Sequence, residues 1–178
     1  RLGLPNFIQE IFTGTPEPAM NITAFCGGLP TIFEGVGTDQ IDECQWSFGD
    51  GFSATTPNAE HTYPIPPPGT TQDYFVTLRI TNRCGLDVLL SETITISGPP
   101  PNPTFVPPGQ QPTVCNGPLT LQALPANDPT FTYLWSTGET TFSVQVDRQQ
   151  IIGVTITNAA GCTSFGDLLI ADNRPVVE

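Results

Sequence analysis

The sequence Trp46-Ser47-Phe48-Gly49-Asp50-Gly51 (WSFGDG) follows an apolar run and precedes a polar stretch, and a degenerate copy, WSTGETTFS, covers residues 135–143. An Asp between two glycines suits a catalytic carboxylate, a metal ligand or a turn. Asp-Gly after an aromatic strand is a hairpin signal, because Gly51 can take a positive φ and the Asp50 side chain can bond nearby backbone. The copy keeps the Trp but has Thr-Gly-Glu at the place of the Asp. We therefore interpret the motif as a turn.

The copy belongs to an internal repeat of the whole chain. Twenty residues separate Cys26 from Trp46, and twenty also separate Cys115 from Trp135. The two copies then end on TLRITNRCG and VTITNAAGC, each with a Thr-Asn turn before a cysteine. A proline-rich stretch, SGPPPNPTFVPPGQQPT, lies between them. We expect it to lack the backbone donors for a sheet and to form an extended spacer.

The composition is typical of short strands joined by tight turns. The 178 residues include 20 Pro and 17 Gly, and only 12% are charged. In YFVTLRI, residues 74–80, every second residue is apolar and shares one face, as in a half-buried strand. The sequence therefore predicts an all-β protein of two tandem immunoglobulin-like β-sandwiches joined by a Pro-rich linker. The predicted order is an apolar N-terminal connector (1–20), a first β-sandwich (21–97), the linker (98–113), a second β-sandwich (114–173) and a tail (174–178).

The N-terminal sequence RLGLPNFIQEIF is unusually apolar for an exposed segment. It predicts either a connector packed on a neighbouring domain or a strand donated to another subunit. The residues of this possible assembly segment are Leu4, Phe7, Ile8, Ile11 and Phe12. The chain begins without a signal peptide pattern, and we expect it to be an excerpt of a longer mature protein.

Charge and residue inventory exclude several functions. A formal charge of −12 disfavours nucleic acid and anionic lipid, and no apolar run is long enough for membrane insertion. His61 is the single histidine, and the GxSxG and HExxH motifs are absent, so we predict that the protein is not an enzyme. The acidic residues Asp39, Asp42 and Glu43 are weak candidates for calcium ligands, because their spacing is not an EF-hand pattern and acidic loops are usually only solvated. No other metal or cofactor is expected.

The order of three motifs resembles the PKD domain, an immunoglobulin-like sandwich. These are WSFGDG, then NAEHTY at residues 58–63, then YFVTLRITN at residues 74–82. Ser47 and Ala59 depart from the usual Asp and Pro of that family. The resemblance implies that residues 21–97 are a PKD-like sandwich, in which His61 hydrogen-bonds the Asp-Gly turn and Tyr63 packs near it.

The second copy resembles the immunoglobulin-like repeats of large Bacteroidota surface proteins. The matching sequences are CNG at residues 115–117, YLWSTGETT at residues 133–141 and NAAGC at residues 158–162. Such repeats occur in adhesins and in gliding motility proteins that the type IX secretion system exports. The segment GLPNFIQ at residues 3–9 also occurs there. The resemblance implies an extracellular or outer cell-surface location.

The five cysteines indicate disulfides, since no CxxC pair or histidine cluster accompanies them. Equivalent positions in the two copies predict the pairs Cys26–Cys84 and Cys115–Cys162, which leaves Cys44 unpaired. A bridge between Cys44 and Cys84 is the alternative. Trp46 and Trp135 match the core tryptophan of immunoglobulin-like sandwiches better than sugar-stacking platforms.

Together these features predict a non-enzymatic structural or spacer module of an extracellular surface or secreted assembly. Its partners would be neighbouring domains of a larger chain or other copies of itself. Two alternatives stay open. One is an adhesive module that binds polysaccharide or a host surface. The other is a filament subunit that polymerises through a donated N-terminal strand.

Overall fold

The computed structural model describes residues 18–36, 43–81, 87–106, 113–114, 118–126 and 128–172. These ranges contain strands, turns and irregular segments, and none of them forms a helix. The fold class predicted from the sequence, all-β, is therefore confirmed. The strands are β1 (Ala19–Thr23), β2 (Pro30–Val36), β3 (Glu43–Ser47), β4 (Ser53–Ala54), β5 (Asn58–Thr62), β6 (Thr71–Thr81), β7 (Asp87–Ser97), β8 (Thr104–Val106), β9 (Thr113–Val114), β10 (Leu119–Leu124), β11 (Phe131–Trp135), β12 (Ser143–Val146), β13 (Gln150–Asn158) and β14 (Thr163–Asp172).

The described strands form four sheets. Their orders are β1-β2-β5, β4-β3-β6-β7, β12-β10-β8 and β11-β13-β14-β9. The pairs with a defined register are antiparallel, except that β14 and β9 run parallel. Antiparallel sheets of this kind bury one face and leave the other to solvent, which is why alternating sequence patterns mark the strands.

The chain forms two compact units, and each combines several chain segments. Among the described residues, unit 1 comprises 18–23, Thr31–His61 and Tyr74–Ile94. Unit 2 comprises the described residues within Ala24–Pro30, Thr62–Asp73 and 95–172. Unit 2 thus includes parts of both sequence repeats. The domain boundaries drawn from the sequence stay a prediction.

Unit 1 is organised around Trp46. This side chain is fully buried, and its residue pairs with Leu78 across β3 and β6. The ring of Phe33 meets the Trp46 ring edge-on at a centroid distance of 5.3 Å. Every second residue of β3 and β6 points inward, as the period-two pattern predicts. The buried apolar residues of unit 1 are Phe33, Cys44, Trp46, Phe48, Val76, Leu78, Ile80 and Ile94.

Unit 2 has a core of its own around Trp135. Trp135 pairs with Val154 across β11 and β13, and both are buried. The Tyr133 hydroxyl donates to the Pro125 carbonyl, which satisfies the one polar atom of that buried side chain. The core is a single cluster of Val114, Leu121, Ala123, Tyr133, Trp135, Val144, Val146, Ile152, Val154, Ile156 and Ile170.

One expectation about the Pro-rich linker is wrong. Residues 104–106 form strand β8, which pairs with β10 through Phe105↔Ala123 and lies at the edge of its sheet. Three consecutive non-proline residues lie between Pro103 and Pro107, so the backbone N–H donors of residues 104–106 are intact. Proline is tolerated at sheet edges, and here it flanks the strand instead of interrupting it.

Among the described residues there is no helix with the length and hydrophobicity needed to cross a membrane.

Candidate functional site

The WSFGDG motif forms a tight turn between β3 and β4. Phe48 N–H donates to the Phe52 carbonyl oxygen over 3.1 Å and closes the turn. Gly49 and Gly51 have φ values of 84° and 96°, a region that favours glycine. A side chain at Gly49 would also lie 2.6 Å from the Phe75 carbonyl oxygen. Gly49 is therefore required by backbone geometry and by close approach of β6.

Asp50 uses both carboxylate oxygens to hold this turn. Oδ1 accepts the Phe52 N–H at 3.2 Å, and Oδ2 lies 2.6 Å from His61 Nε2. The side chains of His61 and Asp50 are only 13% and 11% exposed, so water competes weakly for this contact. With its proton on Nε2, His61 donates to the carboxylate. The structure thus places His61 at the Asp-Gly turn, where the PKD resemblance located it.

Two phenylalanines enclose the imidazole of His61. The Phe48 ring stacks on it at 4.4 Å with an interplanar angle of 3°, and the Phe52 ring lies 5.5 Å away. His61 therefore joins β5 to the turn through a polar contact and an aromatic one. His61 is the single histidine of the chain, so no second histidine can join this pair. The arrangement suits fastening a hairpin better than proton transfer to a substrate.

Tyr63 belongs to unit 2 and is almost fully buried. Its carbonyl oxygen accepts the Gly28 N–H at 2.9 Å. The expected packing of the Tyr63 side chain near the Asp-Gly turn stays a prediction.

The second copy builds a comparable turn without an Asp. Trp135 N–H donates to the Glu139 carbonyl over 2.9 Å, Gly138 has φ of 99°, and the Thr137 hydroxyl donates to the Glu139 carboxylate. A hydroxyl and a glutamate thus replace the histidine and aspartate. The turn is retained while its polar chemistry changes, as a structural role permits.

Both tryptophans are core residues with a satisfied indole N–H. Trp46 Nε1 donates to the Pro57 carbonyl at 3.3 Å, and Trp135 Nε1 donates to the Thr141 carbonyl at 2.8 Å. Each ring is at most 2% exposed. Neither ring is therefore available to stack on a sugar.

The cysteine pairing differs from the sequence prediction. Cys26 forms a disulfide with Cys162, with the Cα atoms 5.5 Å apart, so the pairs Cys26–Cys84 and Cys115–Cys162 are wrong. Cys44 is a free, buried thiol, so the alternative Cys44–Cys84 bridge is wrong as well. Burial raises the pKa of the Cys44 thiol, because desolvation disfavours the thiolate. Cys84 and Cys115 lie outside the described residues.

The physical reason for this pairing lies at the end of β7. The backbone of Cys26 forms a parallel bridge with Ser97, and Gly27 N–H donates to the Ser97 carbonyl at 3.0 Å. The turn that carries Cys162 binds the same place through Asn158. Repeat equivalence assumed that each copy closes on itself, whereas Ser97 brings one cysteine of each copy together within unit 2.

Asn158 is the residue that sequence reasoning missed. Its Nδ2 donates to Ser97 Oγ at 3.0 Å and to the Gly98 carbonyl at 3.1 Å. Its Oδ1 accepts the N–H groups of Ala160 at 3.1 Å and Cys162 at 2.9 Å. All the hydrogen-bonding groups of the amide are used in one orientation. The repeated Thr-Asn turn was the available signal, but it does not reveal the partner.

The remaining sequence candidates yield no assembled site. Asp39 and Asp42 lie outside the described residues, and Glu43 is exposed on β3. Within the described part of the chain, no group of three or more His, Cys, Asp or Glu side chains is placed to hold a metal ion. The possible assembly segment (Leu4, Phe7, Ile8, Ile11 and Phe12) also lies outside the described residues.

One surface depression of unit 1 lies on the β3–β6 pair. It has a volume of about 180 Å³ and is lined by Glu43, Gln45, Arg79 and Thr81. The Arg79 guanidinium donates two hydrogen bonds to Asp87, at 2.9 and 2.8 Å, and holds the pKa of that carboxyl below its usual range. Ligand pockets usually measure about 300–1,000 Å³ and bury most of the ligand. This depression is smaller, and its arginine is already paired.

Unit 2 exposes an apolar face on the sheet β11-β13-β14-β9. Leu134 pairs with Thr155, and Thr155 pairs with Phe165, so these side chains form one row across three strands. Ile151 and Leu169 form a second row. The four apolar side chains are 40–65% exposed, with Leu134 at 55%, Ile151 at 65%, Phe165 at 63% and Leu169 at 40%. We call these four residues the outer face.

Residues 15–97 match the family model of the PKD domain. The match covers the first repeat with its WSFGDG turn and ends at Ser97, the residue that meets Cys26 and Asn158. The first repeat is thus similar to the PKD domain, which is of immunoglobulin-like type. Such domains are generally non-catalytic modules.

Three solved structures are similar to this chain at low sequence identity. The PKD1 domain of Vibrio anguillarum Epp is 18% identical, with a TM-score of 0.36, over 48% of this chain and 100% of that one. The fibronectin(III)-like modules of Clostridium thermocellum CbhA are 14% identical, with a TM-score of 0.46, over 90% of this chain and 97% of theirs. A carbohydrate-binding module of the β-sandwich superfamily is 17% identical, with a TM-score of 0.37, over 80% of this chain and 55% of that one. No curated protein is significantly similar.

Proposed function

We propose that this chain is a non-enzymatic structural module that acts as a spacer in a larger extracellular surface or secreted protein. The observation that carries the proposal is the Cys26–Cys162 bond, which joins the start of the first repeat to the end of the second. A cross-link over so long a loop restricts the unfolded chain strongly, and disulfides persist mainly outside the cytoplasm. The partners of such a module are the neighbouring domains of the parent chain.

The chemistry of the described residues supports this proposal. The Asp50–His61 contact holds a turn closed. The depression beside Arg79 is small, and the Arg79 guanidinium is already paired with Asp87. The aromatic side chains with the largest area, Trp46 and Trp135, are buried. No cofactor forms part of the proposal. Calcium binding at Asp39, Asp42 and Glu43 stays a prediction from the sequence.

Resistance to proteolysis tests the spacer role. Thermolysin is added to the oxidised chain and to the double variant Cys26→Ala/Cys162→Ala, and the loss of intact protein is followed on gels. When opening is fast, cleavage tracks the population of the open form. We expect the double variant to be digested at least tenfold faster, and the exposed substitution Thr56→Ala to match the parent chain. Equal digestion of the parent chain and the double variant would argue against a module built for stability outside the cell.

A second candidate function is adhesion to polysaccharide, which the outer face of unit 2 favours. An exposed Phe165 beside Leu134 offers an apolar platform, although such faces also serve as protein contacts. Insoluble cellulose, chitin, starch and mixed-linkage glucan are mixed with the chain, and the bound fraction is measured. Adhesion predicts retention that Phe165→Ala lowers. The matched control is Phe75→Ala in unit 1, which is 60% exposed, and retention unaffected by Phe165→Ala would rule out this surface.

Two finer parts of the proposal concern setting and assembly. The resemblance of the second repeat supports a Bacteroidota surface protein exported by the type IX secretion system, as in gliding motility. The apolar N-terminal sequence supports polymerisation through a donated strand. Deletion of Arg1 to Phe12 separates a connector from a donated strand. If the segment is a connector, the deletion should change assembly little. If it is a donated strand, the deletion should abolish the assemblies seen by size-exclusion chromatography and electron microscopy.

A further inference from the structure

The disulfide determines which part of the backbone carries tension. Cys26 and Cys162 are 136 residues apart, and every strand from β2 to β13 lies between them. Only β1 precedes Cys26, and only β14 follows Cys162 among the described strands. A force applied through the two chain ends therefore reaches Cys26, crosses the sulfur–sulfur bond and continues from Cys162. The backbone of β2 to β13 lies on a closed branch that this force does not stretch.

The junction around the bond is built to keep it closed. Cys26 and Cys162 are 6% and 5% exposed, which limits attack by an external thiolate. Asn158 binds Ser97 Oγ and the Gly98 carbonyl, while Gly27 N–H donates to the Ser97 carbonyl. These hydrogen bonds keep the Cys162 turn and the Cys26 segment on one residue, Ser97. Both cysteines thus stay in place when the flanking chain is pulled.

We propose that the chain transmits tension through the Cys26–Cys162 bond, so that the backbone of β2 to β13, which includes Trp46 and Trp135, stays outside the force path. This function extends the proposed spacer role, since a spacer on a cell surface is loaded through its flanking domains. It differs from stabilisation, because it limits how far the chain can be extended even after the folded structure is lost. The limit follows from covalent connectivity and not from the strength of the sheets.

Single-molecule stretching of the oxidised chain, with handles ligated to its two ends, tests the proposal. The hidden segment of 136 residues corresponds to about 450–490 Å of extended chain at ~3.3–3.6 Å per residue. We expect the double variant Cys26→Ala/Cys162→Ala to reach a contour length greater than that of the oxidised chain by this amount. The matched control Cys44→Ala should extend like the parent chain, because Cys44 is a free thiol.

The hidden length also distinguishes the possible pairings. Bonds Cys26–Cys84 and Cys115–Cys162 together would hide only about 350–380 Å at the same length per residue. A hidden length in that range, or none, would overturn the proposal. Because the oxidised chain itself gives the decisive contour length, the result does not depend on the folding of the double variant.

A second attachment geometry shows that the protein under test is folded. Azide-bearing residues at the exposed positions 56 and 137 place both handles inside the closed loop. Pulling there loads the sandwiches directly, and we expect unfolding steps in the oxidised chain that end-to-end pulling does not show. Steps of full sandwich length under end-to-end pulling would refute the bypass. Failure of the spacer role, by contrast, would appear as rapid proteolysis and leave these contour lengths unchanged.

Discussion

The contact between Asp50 and His61 should account for a large part of the stability of unit 1. Asp50→Ala removes the acceptor of His61 Nε2, at 2.6 Å, and of Phe52 N–H, at 3.2 Å. A hydrogen bond to a charged group contributes about 1.5–3 kcal/mol, and we assign the solvent-exposed bond from Phe52 N–H the ordinary value of about 0.5–1.5 kcal/mol because water competes for it. The side chains of Asp50 and His61 are nearly buried, so screening of their contact by water is small. We expect Asp50→Ala to lower the free energy of unfolding by about 2–4 kcal/mol.

A double-mutant cycle isolates the contribution of the pair. His61→Phe keeps a flat ring against Phe48 but removes Nε2. In that background Asp50→Ala should cost only the Phe52 hydrogen bond. The coupling energy between positions 50 and 61 should therefore be about 1.5–2 kcal/mol.

Urea unfolding followed by tryptophan fluorescence provides the assay. Trp135→Phe is used as the common background, because the remaining Trp46 is fully buried in unit 1 and reports on that unit. Thr56→Ala is the matched control, since its hydroxyl makes an exposed turn hydrogen bond at 2.7 Å in the same unit. It should change stability by less than about 0.5 kcal/mol. A coupling energy below about 0.5 kcal/mol would refute the role assigned to the pair.

Three further predictions concern the turn glycine Gly49, the disulfide, and the buried thiol of Cys44 with the buried phenol of Tyr133. Gly49→Ala should lower the free energy of unfolding by more than about 2 kcal/mol, because a positive φ is combined with a clash against the Phe75 carbonyl. Gly138 has a similar φ but open space around it, so Gly138→Ala should lower the free energy of unfolding by only about 1–2 kcal/mol in urea unfolding. Cys26→Ala/Cys162→Ala should lower the free energy of unfolding by up to about 5 kcal/mol in the chain-entropy model, whereas an unchanged urea midpoint would show that the bond does not constrain the unfolded chain. Burial raises the pKa values of Cys44 and Tyr133, so the folded state holds these protons more tightly than the unfolded state. Their contribution is fully present below their ordinary pKa values, about 8.5 and 10, and is lost as pH rises through the raised values. Urea midpoints should therefore fall above about pH 8, and Cys44→Ala should reduce that fall.

Local chemistry made much of the fold readable from the sequence. The alternation in residues 74–80 marks β6, and the Asp-Gly pair after Trp46 marks the turn between β3 and β4. In both cases the residues that specify the structure lie within a few positions of one another. The second copy forms a turn without an Asp at the equivalent place. This comparison distinguished a structural role of the Asp from a catalytic one.

Long-range features were not readable in the same way. The pairing of Cys26 with Cys162 depends on Ser97, at the end of a strand far from both in sequence. Strand β8 was hidden because the prolines around it dominate the composition of its stretch. The outer face of unit 2 was not predicted from the sequence, because strand pairing brings its residues together from β11, β13 and β14.

The first-to-last connectivity of the disulfide has a consequence for biosynthesis. Cys26 precedes the other four cysteines, and Cys162 follows them, so during synthesis or export from the N-terminus the correct partner emerges last. Oxidation of neighbours in order of appearance would trap Cys26 with Cys44, Cys84 or Cys115. The native bond requires either that Cys26 stays reduced until the chain is complete or that an isomerase reshuffles early pairs. A closed Cys26–Cys162 bond therefore forms only in chains whose synthesis has passed Cys162 and that contain both repeats.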